Sequence, residues 1–284
     1  MGRTQESDER EAQSGADDMS PDRQEAVEDQ QRPSALLIHE TIRSEGEDEL
    51  GRTVSALLLS GLAAGLSMGF SLITQGLLQT HLPEASWRHL VTSLGYTMGF
   101  LIVVLGRQQL FTENTLTPIL PLLHNRDLYT LWRVARLWAL VLVANIVGSW
   151  LVAYGMAATD VFPPDAKAAF QELSHHTIGS PFLTTFLKAV FAGWLIALMV
   201  WLLPAAEAAR VFVILIVTYV VALGDFAHII AGSVDAAYLV LTDGASLGEY
   251  ATRFFIPTLL GNALGGVALV GVLNYGQVAP QIDE

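Results

Sequence analysis

The sequence contains no cysteine in 284 residues, which excludes disulfide bonds and thiolate chemistry. It is also poor in charge: Asp, Glu, Lys and Arg make up 15% of the chain against 52% hydrophobic residues, and the mean hydropathy is +0.43. That balance excludes an ordinary soluble domain and points to an integral membrane protein. Catalytic patterns are missing too. There is no phosphate-binding glycine loop and no nucleophile elbow, and His175 and His176 sit side by side in a loop rather than at metal-ligand spacing. No enzymatic activity, cofactor, metal site or nucleic-acid partner is therefore expected.

What charge there is lies at one end. Residues 1–50 hold 15 of the 28 Asp and Glu and 5 of the 15 Lys and Arg, and so carry −10 of the net −13. Residues 1–33 are rich in Glu, Asp, Gln and Ser and bury too little apolar surface to offset ordering entropy, which predicts a disordered acidic cytoplasmic tail. No apolar run follows a basic start before residue 53, so a signal peptide is not expected. In residues 34–52, Leu36, Leu37, Ile38 and Ile42 sit among Glu and Arg, which predicts an amphipathic helix lying on the cytoplasmic membrane surface.

Residues 53–278 read as six membrane spans, followed by a short tail at 279–284. Thr53 to Pro83 carries no charge and exceeds the roughly 20 residues a helix needs to cross a bilayer. The second span runs from His89 to Gly106 and resumes from Leu110 to Leu123 after the polar GRQQ. Leu137 to Ala158 and Phe254 to Val278 are continuous, Phe182 to Ala206 is interrupted only by Lys188, and Arg210 to Leu241 is broken at LGDFAHIIAGS. Arg43, Arg52, Arg126, Arg133, Arg136 and Arg210 fall on one side, against Arg88, Lys167 and Arg253 on the other. Excess positive charge marks the cytoplasmic face, so both termini are expected inside.

The two halves echo each other. LGRQQLFTE from Leu105 matches LGDFAHIIA from Leu223, and ANIVGS around Asn145 matches GNALGG around Asn262, with offsets of 118 and 117. Three spans per half at a near-constant offset predict an inverted 3+3 repeat, and paired interruptions in spans two and five predict a central pathway. Irregular backbone at membrane depth is tolerated where it lines a watery lumen. The helices should restart near Thr112 to Asn114 and near His228 to Ser233, each offering a positive dipole end to an anion. Thr112, Asn114 and Thr115 would hydrogen-bond a small solute.

Surrounded by aliphatic residues, His228 is expected to be a neutral ring that donates one hydrogen bond. Lys188, two turns inside the fourth span, reads as a vestibule cation or as a snorkelling side chain. Asp225 reads as structural, bonded to its own half-helix, to Arg107 at the other break, or facing the cytoplasmic vestibule. Asn145 and Asn262 should satisfy backbone groups at the breaks, with Gly148, Gly261, Gly265 and Gly266 allowing close helix approach.

QLFTENTLT, FLKAVFAGWL, DFAHIIAGS and PTLLGNALGG, taken together and in this order, resemble the formate/nitrite transporter family over residues 34–278, and a divergent branch of it. The resemblance implies an aquaporin-like homopentamer with one pore per protomer. It assigns Thr112 and His228 to the pore centre, Lys188 to the outer vestibule, Asn262 of the sixth span to the pore-lining set and Phe111 to an apolar constriction. Family members usually read G-F-E-H-S-x-A-N-M at the histidine, whereas here Asp225, Ala227, Gly232 and Ser233 differ, as do Gln108 and Gln109 in the second span. The expected function is a channel for small monovalent anions or their weak acids, proton-linked in one version. A neutral-solute channel and a non-transporting scaffold or sensor fit the same features.

Overall fold

A computed structural model describes residues 33–282, and the acidic segment read as disordered lies, apart from Pro33, outside the described residues. Among the described residues the chain is helical and contains no strand. Five helices are long and apolar enough to cross a membrane: α2 (Val54–His81), α3 (Arg88–Leu105), α5 (Leu128–Ala158), α7 (Phe182–Ala205) and α10 (Leu247–Pro280). Between them lie α4 (Ile119–Asn125), α6 (Pro164–Ile178), α8 (Arg210–Leu223) and α9 (Ala231–Leu241), all preceded by α1 (Ala35–Gly51).

Local chemistry sets several boundaries. Thr53 Oγ1 accepts the Ala56 N–H to start α2, and Asp127 accepts the Thr130 N–H at 2.8 Å to start α5. This second cap begins the helix at Leu128, nine residues before the apolar run at Leu137, because Arg133 and Arg136 do not interrupt it. Ser246 and Glu249 form a reciprocal cap that likewise starts α10 seven residues before Phe254. Wider turns occupy Tyr250–Phe255 and Gly265–Val272, and the helical end continues to Ile282 where a tail was expected.

Glycine decides how closely the helices meet. A Cβ on Gly65 of α2 would run into the Asn145 carbonyl of α5, and one on Gly193 of α7 into the Asn262 carbonyl of α10. Backbone therefore packs on backbone at both crossings. Outward-facing Leu59, Val143, Leu151, Phe212 and Ile216 remain exposed, an apolar exterior suited to lipid. The chain is a multi-pass membrane protein.

α1 departs from expectation. Its His39, Ile42, Gly46 and Leu50 are buried against α4, α5, α7 and the end of α10, so that face is covered by protein rather than laid on lipid. A Cβ on Gly46 would collide with the Thr117 carbonyl, which is why the helix can settle so near this loop.

Candidate functional site

Helix α3 ends at Leu105 and α8 at Leu223, and the chain leaves each in the same way. Gly106, Arg107 and Gln108 donate their N–H groups to Ile102, Val104 and Val103, while Gly224, Asp225 and Phe226 donate to Val220, Ala222 and Val221. In both, the residue after the glycine turns left-handed, Arg107 at φ 50° and Asp225 at φ 47°. A side chain in that conformation costs roughly 1 kcal/mol. Asp tolerates it better than Arg.

One asparagine holds each departing strand of chain. Asn145 Oδ1 accepts the Phe111 N–H at 2.9 Å, and its Nδ2 donates to Gly61 O at 2.7 Å and Gln109 O at 2.9 Å. Asn262 Oδ1 accepts the Ile229 N–H at 2.8 Å, and its Nδ2 donates to Ala189 O at 2.8 Å and Ala227 O at 2.9 Å. Both side chains are fully buried and every amide hydrogen and the carbonyl are engaged with backbone. Asn262 is thus an anchor and takes no part in lining the cavity described below.

These anchors bring Thr112 and His228 together. Thr112 Oγ1 and His228 Nε2 lie 2.7 Å apart, both buried. His228 Nδ1 accepts the Ala231 N–H at 3.2 Å, so the ring proton sits on Nε2 and is donated to Thr112. The Thr112 hydroxyl keeps its own hydrogen for another acceptor. Phe100 packs edge-on against the imidazole at 4.9 Å.

His228 stands at the edge of a 480 Å³ cavity that also receives Lys188, Asp225 and Gly232. The cavity opens among Arg88 and His89 of α3 and Glu172 and His176 of α6. A Cβ on Gly232 would strike the Phe254 ring, so the cavity wall needs a glycine there. Asp225 shares this space with Lys188, and Arg107 takes Glu45 as its ion-pair partner at 3.4 Å. The pairing with Arg107 considered for Asp225 is not found.

Other sequence-selected residues lie elsewhere. Phe111 is buried edge-on against Trp138 at 5.6 Å. Asn114 donates to Gln109 Oε1 at 2.9 Å, and its carbonyl accepts the Trp138 indole N–H at 2.8 Å. The expected restart at Thr112 to Asn114 is a single 3₁₀ turn, Glu113–Thr115; the α-helix resumes only at Ile119, after Pro118, whose ring lacks the donor that a continuing turn needs. The seven residues of α4 are too few for the dipole effect expected there.

The sequence reading missed several carboxyls, Glu49 and Asp235 among them. Glu49 of α1 accepts from Thr117 Oγ1 and, at 3.1 Å, from Gln109 Nε2. Burial raises its carboxyl above the usual value of 4.5. Asp235 of α9 accepts from Thr177 Oγ1 at 3.1 Å and lines the cavity. An aspartate inside AGSVDAAYLVL was a visible signal. Glu49 gave none, because its partners are remote in sequence.

The chain is similar to known proteins over most of its length. The family model described as formate/nitrite transporter matches residues 37–276. Inner membrane protein YfdC of Escherichia coli is 40% identical over 254 residues, covering 89% of this chain and 82% of that protein. Formate channel BtFdhC of Bacillus thuringiensis is 27% identical over 247 residues, covering 82% and 91%. A solved pentameric formate channel with formate bound superposes with a TM-score of 0.67 at 20% identity, over 80% of this chain and 98% of that one, which establishes the likeness of fold. On the extent of the family match and the identity to the Escherichia coli protein, the chain belongs to the formate/nitrite transporter family.

Proposed function

We propose that this chain is a channel of the bacterial inner membrane for small monovalent anions or their weak acids, formate and nitrite being the first candidates. Relatives named as formate channels support the substrate class. The observation that carries the reading is the buried Thr112–His228 hydrogen bond beside a cavity that also holds Lys188. Lys188 makes no ion pair among the described residues, which leaves its charge to attract an anion. The Thr112 hydroxyl then donates to it. A bare anion loses several kcal/mol of hydration at an apolar constriction, so crossing as the neutral acid lowers the barrier. Proton linkage follows from that cost.

The architecture behind this reading is six crossings in an inverted 3+3 repeat, with the second and fifth interrupted, in an aquaporin-like protomer of a homopentamer. Matching hydrogen bonds support it. Phe111 and Ile229 meet their asparagines at an offset of 118, Asn145 and Asn262 are 117 apart, and Gly61 and Ala189 supply their carbonyls at 128. The offset of 128 also relates α1 to α6, so each half has its own amphipathic helix before its first span. The excess of arginine on one side supports cytoplasmic termini, an acidic cytoplasmic tail at 1–33 and a pore domain over 53–278.

A flux panel on purified protein in liposomes tests the function. Labelled formate and nitrite should enter faster than acetate and much faster than into empty vesicles. The neutral-solute reading draws on one observation, the three carboxyls Glu172, Asp225 and Asp235 in the cavity. Osmotic swelling with glycerol, without anion flux, would favour it instead.

A further inference from the structure

Asp235 is a cavity-lining carboxyl for which the pore reading above has no use. His228, Gly232 and Asp235 stand four and three residues apart on one face of α9 and its entry turn, and all three line the cavity. A carboxyl therefore sits about two turns from the imidazole, along the route from the cavity mouth to Thr112. We propose that Asp235 is the proton-exchange group of this pore, taking protons from the solution in the cavity and handing them to the weak-acid anion before it reaches Thr112 and His228. This rests on the weak-acid channel reading. The transfer moves one proton and no electrons: the Asp235 O–H bond breaks as the O–H bond of the acid forms, and the carboxylate regains its proton from cavity water.

The charge of the cavity supports the assignment. Its lining holds three carboxyls, Glu172, Asp225 and Asp235, against two fixed cations, Arg88 and Lys188, which is an excess of one negative charge when the histidines are neutral. No ion pair joins these cations to these acids among the described residues. An ionised Asp235 thus opposes entry of an anion, and a protonated one balances the cavity while carrying the proton the anion needs. Other titratable groups line the same cavity. Tyr96 of α3 lies across from it, His176 and Glu172 come from α6, and His89 stands at the mouth. Helices α2 and α5 bring no ionisable group to the cavity, and Tyr250 of α10 is turned to Ser233 Oγ at 3.2 Å.

The internal correspondence supplies a second observation. The Thr177–Asp235 hydrogen bond ties α6 to the half-helix after the second break. The Thr117–Glu49 hydrogen bond ties α1 to the segment after the first, with the carboxyl and the hydroxyl exchanged between the two elements. Each half of the chain therefore keeps one carboxyl–hydroxyl pair beside its break, and the two fall on opposite sides of Thr112 and His228 in the six-crossing arrangement.

The test is formate flux into liposomes holding the full chain, with outside pH stepped from about 8 to about 5. Wild-type flux should rise on acidification, and Asp235→Asn should flatten the rise and cost at least about tenfold at the acid end. Asp235→Glu keeps a carboxyl on a longer arm and should retain the rise with a displaced midpoint. Should Asp235→Asn fail to assemble, the midpoint of Asp235→Glu decides. Profiles of Asp235→Asn, or of Asp235→Glu, that coincide with wild type overturn the inference while the channel reading stands. Absence of flux through the wild-type protein overturns the channel reading and this inference with it.

Discussion

Asn145 and Phe111 are joined by a 2.9 Å hydrogen bond from the Phe111 N–H to the asparagine Oδ1, and the irregular chain between α3 and α4 depends on it. The same side chain also holds Gln109 and Gly61. Replacing Asn145 by Ala leaves the buried Phe111 N–H and Gln109 carbonyl without partners and should destabilise the protein by about 3 kcal/mol. Thermal unfolding in detergent checks this, and Asn262→Ala should lose a similar amount for the same geometric reason.

Thr112 should be sensitive to loss of its hydroxyl and tolerant of loss of its methyl. Thr112→Val removes the acceptor for His228 and the donor for a passing anion, and formate flux should fall at least about tenfold. Thr112→Ser retains both and should conduct within about threefold of wild type. A valine variant that conducts normally would show that the hydroxyl meets no solute.

Gly65 and Gly193 report on packing. A Cβ at either position meets a backbone carbonyl of the neighbouring helix, which cannot swing aside as a side chain can. Gly65→Ala and Gly193→Ala should each cost about 1–3 kcal/mol. Gly155, where a Cβ meets nothing within 4 Å, is the control, and Gly155→Ala should be neutral or slightly stabilising.

Docking of α1 should strengthen on acidification. Burial raises the Glu49 carboxyl above 4.5, so its protonated form is favoured when α1 is docked. The stabilisation is fully present below the ordinary value and is lost as pH rises through the raised one. Hydrogen exchange of Ala35–Gly51 should accelerate beyond its normal base catalysis over that window. Glu49→Gln should remove the excess.

Much of the bundle was legible because apolar runs without charge have few other readings. Thr53 to Pro83 is α2 within two residues at either end. The start of α5 was not, since Arg136 looks like a boundary until it is seen donating to the Leu50 and Arg52 carbonyls. In the site, a histidine and an aspartate amid aliphatic residues drew attention to His228 and Asp225. Arg107 was considered as a partner of Asp225 but pairs with Glu45, because a sequence names a charge and not the neighbour that meets it. The docking of α1 through Glu49 and Gly46 was invisible, for it depends on Thr117 and Gln109 about sixty residues away.

His228 carries the central claim, and formate flux through His228→Phe in liposomes across about pH 5 to 8 tests it most directly. The ring of Phe fills the space and neither donates to Thr112 nor carries a proton. Flux should fall at least about tenfold at every pH, because the Thr112 hydroxyl loses the donor that orients it toward a passing anion. Flux equal to wild type at every pH would contradict the account by removing the imidazole from the path.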